Sequence, residues 1–344
     1  MHSSRIILLL LLLTQLHTQI KIKLNSESAT ALLSIMEKKA INQAELDRLI
    51  GLGGIKAMIS QTARFDKQAT AERFRQDITT LLKGNPAGDD PFRLQQVYDR
   101  LSDIKQLLNR IEENPQQLSD EIIAMIAAYS PANLDLDVTV FLTLGGSSDG
   151  WTLENYFNIA LQFFGDDYDG LKILMAHELY HLVQEKLIKD PDSKRPHYQA
   201  KRLIYQTLIE GTASLVGDPL KATDGKNYTN WFARKYQRNL ARIADNFALF
   251  ELMFYRLYSD PDSKLDDIYN LGFSGNWDSA LYFVGYYIAK VIYDQRGKEE
   301  FLKLCADGPV KLFRTYIDIY KSQTKPEFQP FSTVTENQIK SLSE

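Results

Sequence analysis

The sequence holds a single cysteine, Cys305, among 344 residues. An intramolecular disulfide is thereby excluded, as are cysteine-ligated zinc ribbons, iron–sulfur clusters and CxxC redox chemistry. Histidine is nearly as scarce: only His2, His17, His177, His181 and His197 are present, so a histidine-based metal site is easy to locate. Basic charge is not in excess either. Forty Lys+Arg stand against 44 Asp+Glu, for a net charge of −4. Nothing is left over to neutralise a phosphate backbone, which argues against a nucleic-acid partner. Beyond the first residues no apolar run approaches the ~20 residues needed to span a bilayer. The 44% hydrophobic and 24% charged fractions are those of a folded chain.

The chain starts with a short basic stretch (residues 1–5), an unbroken apolar run (6–13) and a polar stretch (14–19). That is the layout of a secretory signal peptide, here assigned to residues 1–18. The expectation is a mature protein that is exported, periplasmic or secreted, without stable membrane insertion. Export without disulfides points to a bacterial source.

From residue 26 to 129 the pattern is helical, at 28–39, 44–52, 69–82, 92–111 and 119–129. Ala29, Leu32, Leu33 and Met36 show the spacing. Gly51-Leu52-Gly53-Gly54, residues 84–91 and Asn114-Pro115 punctuate these helices, and Ser119 reads as the cap of the last. Residues 134–144 alternate and are rich in Val, Thr and Phe, so they read as a strand. A Gly/Ser loop (145–150) comes next, then a second strand within 151–164 centred on 158–161. Asp169, in an acidic turn, is the expected N-cap of the next helix. Helices are expected at 171–188, 199–216, 227–258, 277–295 and 298–307, and the polar stretch from Thr324, with Pro326 and Pro330, is expected to fray. The expected division is a helical N-terminal region (19–130), a catalytic domain (131–323) and a polar tail (324–344). The fold class is α+β, predominantly α-helical, with a small sheet beside the helix at 171–188.

That helix carries His177-Glu178-Leu179-Tyr180-His181, an HExxH motif. Residues four apart share a helix face, so both imidazoles can reach one ion, with Glu178 placed to serve as general base. With five histidines in the chain, this spacing around a glutamate is rare by chance. Leu174, Met175, Ala176, Leu179, Tyr180, Leu182 and Val183 are uncharged, as a buried active-site helix requires. A structural role for a buried histidine pair is the competing reading.

The stretch resembles the zincin metallopeptidases. The metzincin extension would need Gly at 184 and His at 187, where this chain has Gln184 and Leu187. A third ligand must come from elsewhere. Glu210, in Glu210-Gly211-Thr212-Ala213, is the first candidate; small residues Gly211, Ala213 and Ser214 would let its helix approach the histidine helix. His197, with Asp190 and Asp192 behind it, is the second. The Glu210 arrangement is similar to the gluzincins, although the 28 residues between His181 and Glu210 exceed the thermolysin-like spacing. More narrowly, the chain resembles a bacterial family of uncharacterised zinc-dependent peptidases.

The resemblance implies one Zn2+ per chain held by His177, His181 and Glu210, with Glu178 as base. It also implies a peptide or protein substrate held in part by a strand, for which residues 138–144 are the candidate, with the 145–150 loop bordering the cleft. It makes a downstream tyrosine the oxyanion donor, Tyr282 first and Tyr286 second. Asp218 and Asp245 are candidates to support the histidines. Two alternatives remain: a zinc hydrolase or amidase acting on a non-protein substrate, and a non-catalytic binding protein on a zincin scaffold.

Overall fold

The computed structural model describes residues 19–85, 88–153, 156–323 and 327–343. The expected signal peptide at 1–18 lies outside the described residues. The architecture is α+β and mostly helical, with one four-stranded sheet.

The first described element is a strand, β1 (Gln19–Asn25), that the sequence reading missed. Its QIKIKLN pattern buries Ile20 and Ile22 and exposes Lys21 and Lys23, a period of two. Seven helices come after it: α1 (Glu27–Lys38), α2 (Gln43–Gly51), α3 (Gly53–Phe65), α4 (Ala71–Leu82), α5 (Leu94–Asp99), α6 (Leu101–Glu113) and α7 (Pro115–Ala127). A capping box starts α2, where Asn42 and Glu45 exchange side-chain and backbone hydrogen bonds. The expected punctuation at 51–54 is borne out: α2 ends at Gly51, Leu52 is extended (φ −68°, ψ 142°), and Gly53 and Gly54 open α3. A Cβ on Gly54 would lie 2.7 Å from Ser28 Oγ and 3.0 Å from Thr143 Cγ2, so glycine is what lets α3 lie against its neighbours. Asn114, not Ser119, caps α7: its side chain accepts from the Gln117 amide, with Pro115 at the first helical position. The Ser119 hydroxyl turns inward to the Ile22 and Pro115 carbonyls.

The remaining strands are β2 (Asp135–Thr143), β3 (Gly150–Leu153) and β4 (Tyr156–Ala160), so residues 151–164 hold parts of two strands rather than one. The sheet order is β1-β2-β4-β3. Pairs β1–β2 and β2–β4 are parallel, and β3 runs antiparallel to β4 at the edge. Along β2, Leu136, Val138, Val140 and Leu142 are buried, while Asp135 and Asp137 are exposed.

The helices α8 (Tyr168–Leu187), α9 (Tyr198–Val216), α10 (Asn227–Ala241), α11 (Ile243–Ser259), α12 (Leu265–Phe273), α13 (Ala280–Asp307), α14 (Pro309–Lys321) and α15 (Thr333–Ser341) complete the fold. The helix expected over 227–258 breaks at Arg242 (φ −111°, ψ 30°). Those expected at 277–295 and 298–307 are the two arms of α13, broken as expected between them, at Gly297, whose backbone is not helical (φ 77°, ψ 172°). The tail does not simply fray. Phe331, Ile339 and Leu342 are buried, Glu336 pairs with Lys321, and α15 packs on α14 and α11.

Two contacts position the HExxH helix and its neighbours. Helix α8 packs between α7 and α9 and reaches β3. Helices α9 and α13 cross in backbone contact: a Cβ on Gly211 would lie 2.1 Å from the Gly285 carbonyl carbon. Of the small residues beside Glu210, Gly211 therefore admits α13 rather than the histidine helix, while α9 also packs on α8. Among the described residues no helix is long and apolar enough to cross a membrane.

Candidate metal centre

Helix α8 is buried nearly all round, from Leu171 through Met175, Leu179 and Val183 to Gln184. Such a helix belongs inside the molecule, so the polar groups it carries need partners there. Its start is fixed by Asp167 rather than Asp169. The Asp167 side chain accepts from the Gly170 amide at 2.9 Å, and from the Thr229 amide and hydroxyl at 2.8 and 2.9 Å. One carboxylate thus joins the N-termini of α8 and α10. Asp169 pairs with Lys172 at 3.0 Å.

His177, His181 and Glu210 come together. One ligand atom from each lies within 4.8 Å of the others. Glu210 Oε2 is 3.7 Å from His177 Nε2 and 3.8 Å from His181 Nε2. His177 is buried, Glu210 nearly so, and His181 is half-buried. The two rings stand edge to face at 86°, with centroids 5.1 Å apart. Three lone-pair atoms facing one another at this range fit a small cation. Tetrahedral ligands at ~2.0–2.1 Å from zinc would be about 3.4 Å apart, within a few tenths of an ångström of the two separations from Glu210.

Two glutamines that the sequence reading did not single out complete the set. Gln206, four residues before Glu210, donates to Glu210 Oε1 at 3.1 Å and leaves Oε2 facing the imidazoles. Gln184, three residues after His181, meets His181 Nδ1 at 2.6 Å through its Oε1. Helical spacing from the ligands was the signal available for both.

Burial by itself would lower the His177 pKa, but the Glu210 carboxylate facing it and the charges of Glu178 and Asp149 prevail, and it is raised. For Glu210, burial opposes ionisation, yet the two histidines and the Tyr282 hydroxyl outweigh it and hold the carboxyl below its ordinary range. Glu178 behaves oppositely: desolvation raises it, the histidines only partly offset this, and Glu210 and Asp149 add to it. Two electrostatically coupled carboxyls are thereby separated into one held below its ordinary range and one of raised proton affinity.

The structure brings Tyr282 to the cluster. Its ring lies parallel to His177, 5° between planes and 6.3 Å between centroids. Tyr286 is turned elsewhere: its buried hydroxyl donates to Asp218 Oδ2 at 2.8 Å. Asp218 is therefore engaged by Tyr286 and the Leu220 amide, and it is not hydrogen-bonded to His177, whose Nδ1 has no partner among the described residues. Asp245 is exposed in the first turn of α11. The runner-up His197 caps α9 at φ 56°, stacks on Tyr258 with centroids 4.1 Å apart, and meets the Tyr258 carbonyl through Nδ1 at 3.1 Å. It is not part of the cluster.

The strand expected to hold a peptide, at 138–144, is internal; β2 is flanked by β1 and β4, so its backbone is already paired. Among the described residues the open sheet edge beside α8 belongs to β3. Gly150 starts it, and a Cβ there would sit 3.6 Å from Glu178 Cγ, so the glycine loop does border the site. Asp149, which Tyr228 engages at 3.0 Å, stands at the same corner.

Residues 46–325 match a protein family described as "Putative zinc dependent peptidase (DUF5700)". The match covers most of the chain and all of the residues of the cluster. Neither the curated proteins nor the solved structures contain a match.

Proposed function

Because the chain belongs to the family so described, we propose that it is an exported zinc metallopeptidase with a gluzincin-type ligand set. In this reading His177, His181 and Glu210 hold one Zn2+ through Nε2, Nε2 and Oε2. The observation that carries it is the convergence of those atoms from two helices, within 4.8 Å of each other and beside a third acidic group, Glu178.

When bound, zinc at two neutral imidazoles and a carboxylate acidifies water and polarises a carbonyl. The chain supplies the rest. Glu178, its proton affinity raised by desolvation, takes the proton of the attacking water and passes it to the departing amine. Burial and the Glu210 charge raise the pKa of the Tyr282 hydroxyl, so it stays a proton-bearing donor and stabilises the developing oxyanion. The open edge of β3 pairs with the extended backbone of a peptide and lays the scissile bond beside Glu178. That edge favours a peptide or protein substrate over a small non-peptide amide.

The test is zinc per chain after dialysis, together with peptide cleavage. Wild type and His197→Ala are expected to retain near one zinc, and Glu210→Ala to lose it. Glu178→Gln should keep the metal while hydrolysis falls by ~10²–10⁴-fold. Zinc loss only in His197→Ala would overturn the ligand set. A zinc-loaded wild type without activity on any peptide library would leave a binding protein on this scaffold.

A further inference from the structure

Position 184 is where the metzincin pattern fails, yet the glutamine found there is one of the most constrained polar side chains in the molecule. Gln184 is 1% exposed. Its Nε2 lies 2.7 Å from the Ile209 carbonyl and 2.5 Å from Thr212 Oγ1. The Ile209 carbonyl can only accept. Thr212 Oγ1 donates its own proton to the Leu208 carbonyl at 2.9 Å, so towards Gln184 it too is an acceptor. Both neighbours demand N–H donors, which fixes the orientation of the amide.

The atom turned to His181 is therefore an amide oxygen, an acceptor only. At 2.6 Å from it, His181 Nδ1 must carry a proton. The lone pair of the neutral ring is then on Nε2, the atom 3.8 Å from Glu210 Oε2. A directional chain runs from His181 through Gln184 and Thr212 to the Leu208 carbonyl. It starts at one candidate ligand and ends in the turn of α9 that carries another, Glu210. His177 has no such partner at Nδ1 among the described residues.

Resting on the reading of His177, His181 and Glu210 as metal ligands, we propose that Gln184 is a positioning residue. It selects the metal-binding tautomer of His181 and ties the ligand-bearing turns of α8 and α9 in register. Hydrogen-bond partners of this kind are typically worth ~10–100-fold in metal affinity.

The experiment uses the full mature chain and three readouts. These are the zinc dissociation constant by competition with a chromophoric chelator, the melting of the metal-free protein, and the His181 tautomer of the metal-free protein from two-bond 1H–15N correlation spectra. The variants are Gln184→Met, which keeps the length and removes both ends of the link, Gln184→Glu, which keeps the acceptor for Nδ1–H, and Thr212→Val, which trims the far end. Expected are Nδ1–H at His181 in wild type, loss of that preference in Gln184→Met, and zinc affinity weakened ~10–100-fold there. Gln184→Glu should keep the tautomer and hold affinity well above that of Gln184→Met. Thr212→Val should fall between wild type and Gln184→Met. A mainly structural role would lower the melting temperature of all three variants without moving the tautomer, and that result overturns the proposal. So does a wild-type His181 carrying its proton on Nε2, an outcome that needs no variant to fold. The tautomer is read without metal, so a protein that binds no zinc would refute the peptidase reading and still leave this inference decidable.

Discussion

Alanine at Gly285 probes the joint on which the site is assembled. Helices α9 and α13 meet there backbone to backbone. A Cβ on residue 285 would lie 1.9 Å from the Thr207 carbonyl oxygen and 2.9 Å from Gly211 Cα, whereas real Cβ contacts stay above 3.0 Å. The obstructing atoms are backbone, so no side chain can rotate away, and the helices must part by about 1 Å or more. Overpacking costs ~1–3 kcal/mol even where side chains adapt, and a rigid obstacle puts this case at about 3 kcal/mol or above. Alanine's better helix propensity returns ~1 kcal/mol, leaving a net loss of about 2 kcal/mol or more. For a chain of this size that lowers the melting temperature by roughly 3 °C or more. The assay is thermal melting by circular dichroism. Gly51→Ala, with nothing within 4 Å of its Cβ, is the control expected to melt at or slightly above wild type. Zinc affinity should fall too, because Glu210 adjoins Gly211 and Tyr282 lies one turn from Gly285. A Gly285→Ala protein as stable as wild type would refute the backbone-contact reasoning.

Replacing Tyr282 by phenylalanine should leave zinc content near wild type and lower kcat by ~10²-fold, the usual worth of an oxyanion donor; unchanged kcat would remove Tyr282 from the reaction. Tyr286→Phe should act on stability instead. It leaves the buried Asp218 carboxylate one donor short, at a cost of about 1–3 kcal/mol in chemical denaturation, with little change in the kcat of the folded protein. Acid should loosen the C-terminal helix. Burial opposes ionisation of Glu336, but Lys321 and the Tyr320 hydroxyl outweigh it and hold its carboxyl below the ordinary 4.5. A depressed folded-state pKa contributes stability that is full above the unfolded value and is lost as pH falls through the folded value. Denaturant midpoints should thus decline below about pH 4.5, and Glu336→Gln should flatten part of that decline; a slope identical to wild type would contradict the assignment.

The HExxH helix was legible because i, i+4 proximity is a property of one helix and needs no partner. Glu210 was legible in part: a glutamate with small neighbours on the following helix stood out, but the reason assigned to Gly211 was wrong. Gly211 makes room for α13, which carries Tyr282, rather than for the histidine helix. Strand β1 was missed, although Ile20 and Ile22 alternate with Lys21 and Lys23, because seven residues soon after an apolar run give a weak signal. The stop expected at residues 51–54 is there, at Gly51 and Leu52, but the helix that Gly53 and Gly54 open was not foreseen, since a glycine that breaks a helix and one that admits a close neighbour look the same in sequence.

Local pattern by itself determined the fold class, the HExxH helix, and the histidine pair with the glutamate beside it, because each depends on periodicity or on neighbours within one turn. Tertiary structure alone decided the rest. Tyr282 and Tyr286 share a helix face, so only the packing of α13 against α9 and Asp218 could send one to the cluster and the other away. Which strand is left with an open edge depends on the order β1-β2-β4-β3, which no single segment encodes. The roles of Gln184 and Gln206 exist only once two helices have been brought side by side, because a hydrogen bond has a direction and needs its second partner in place.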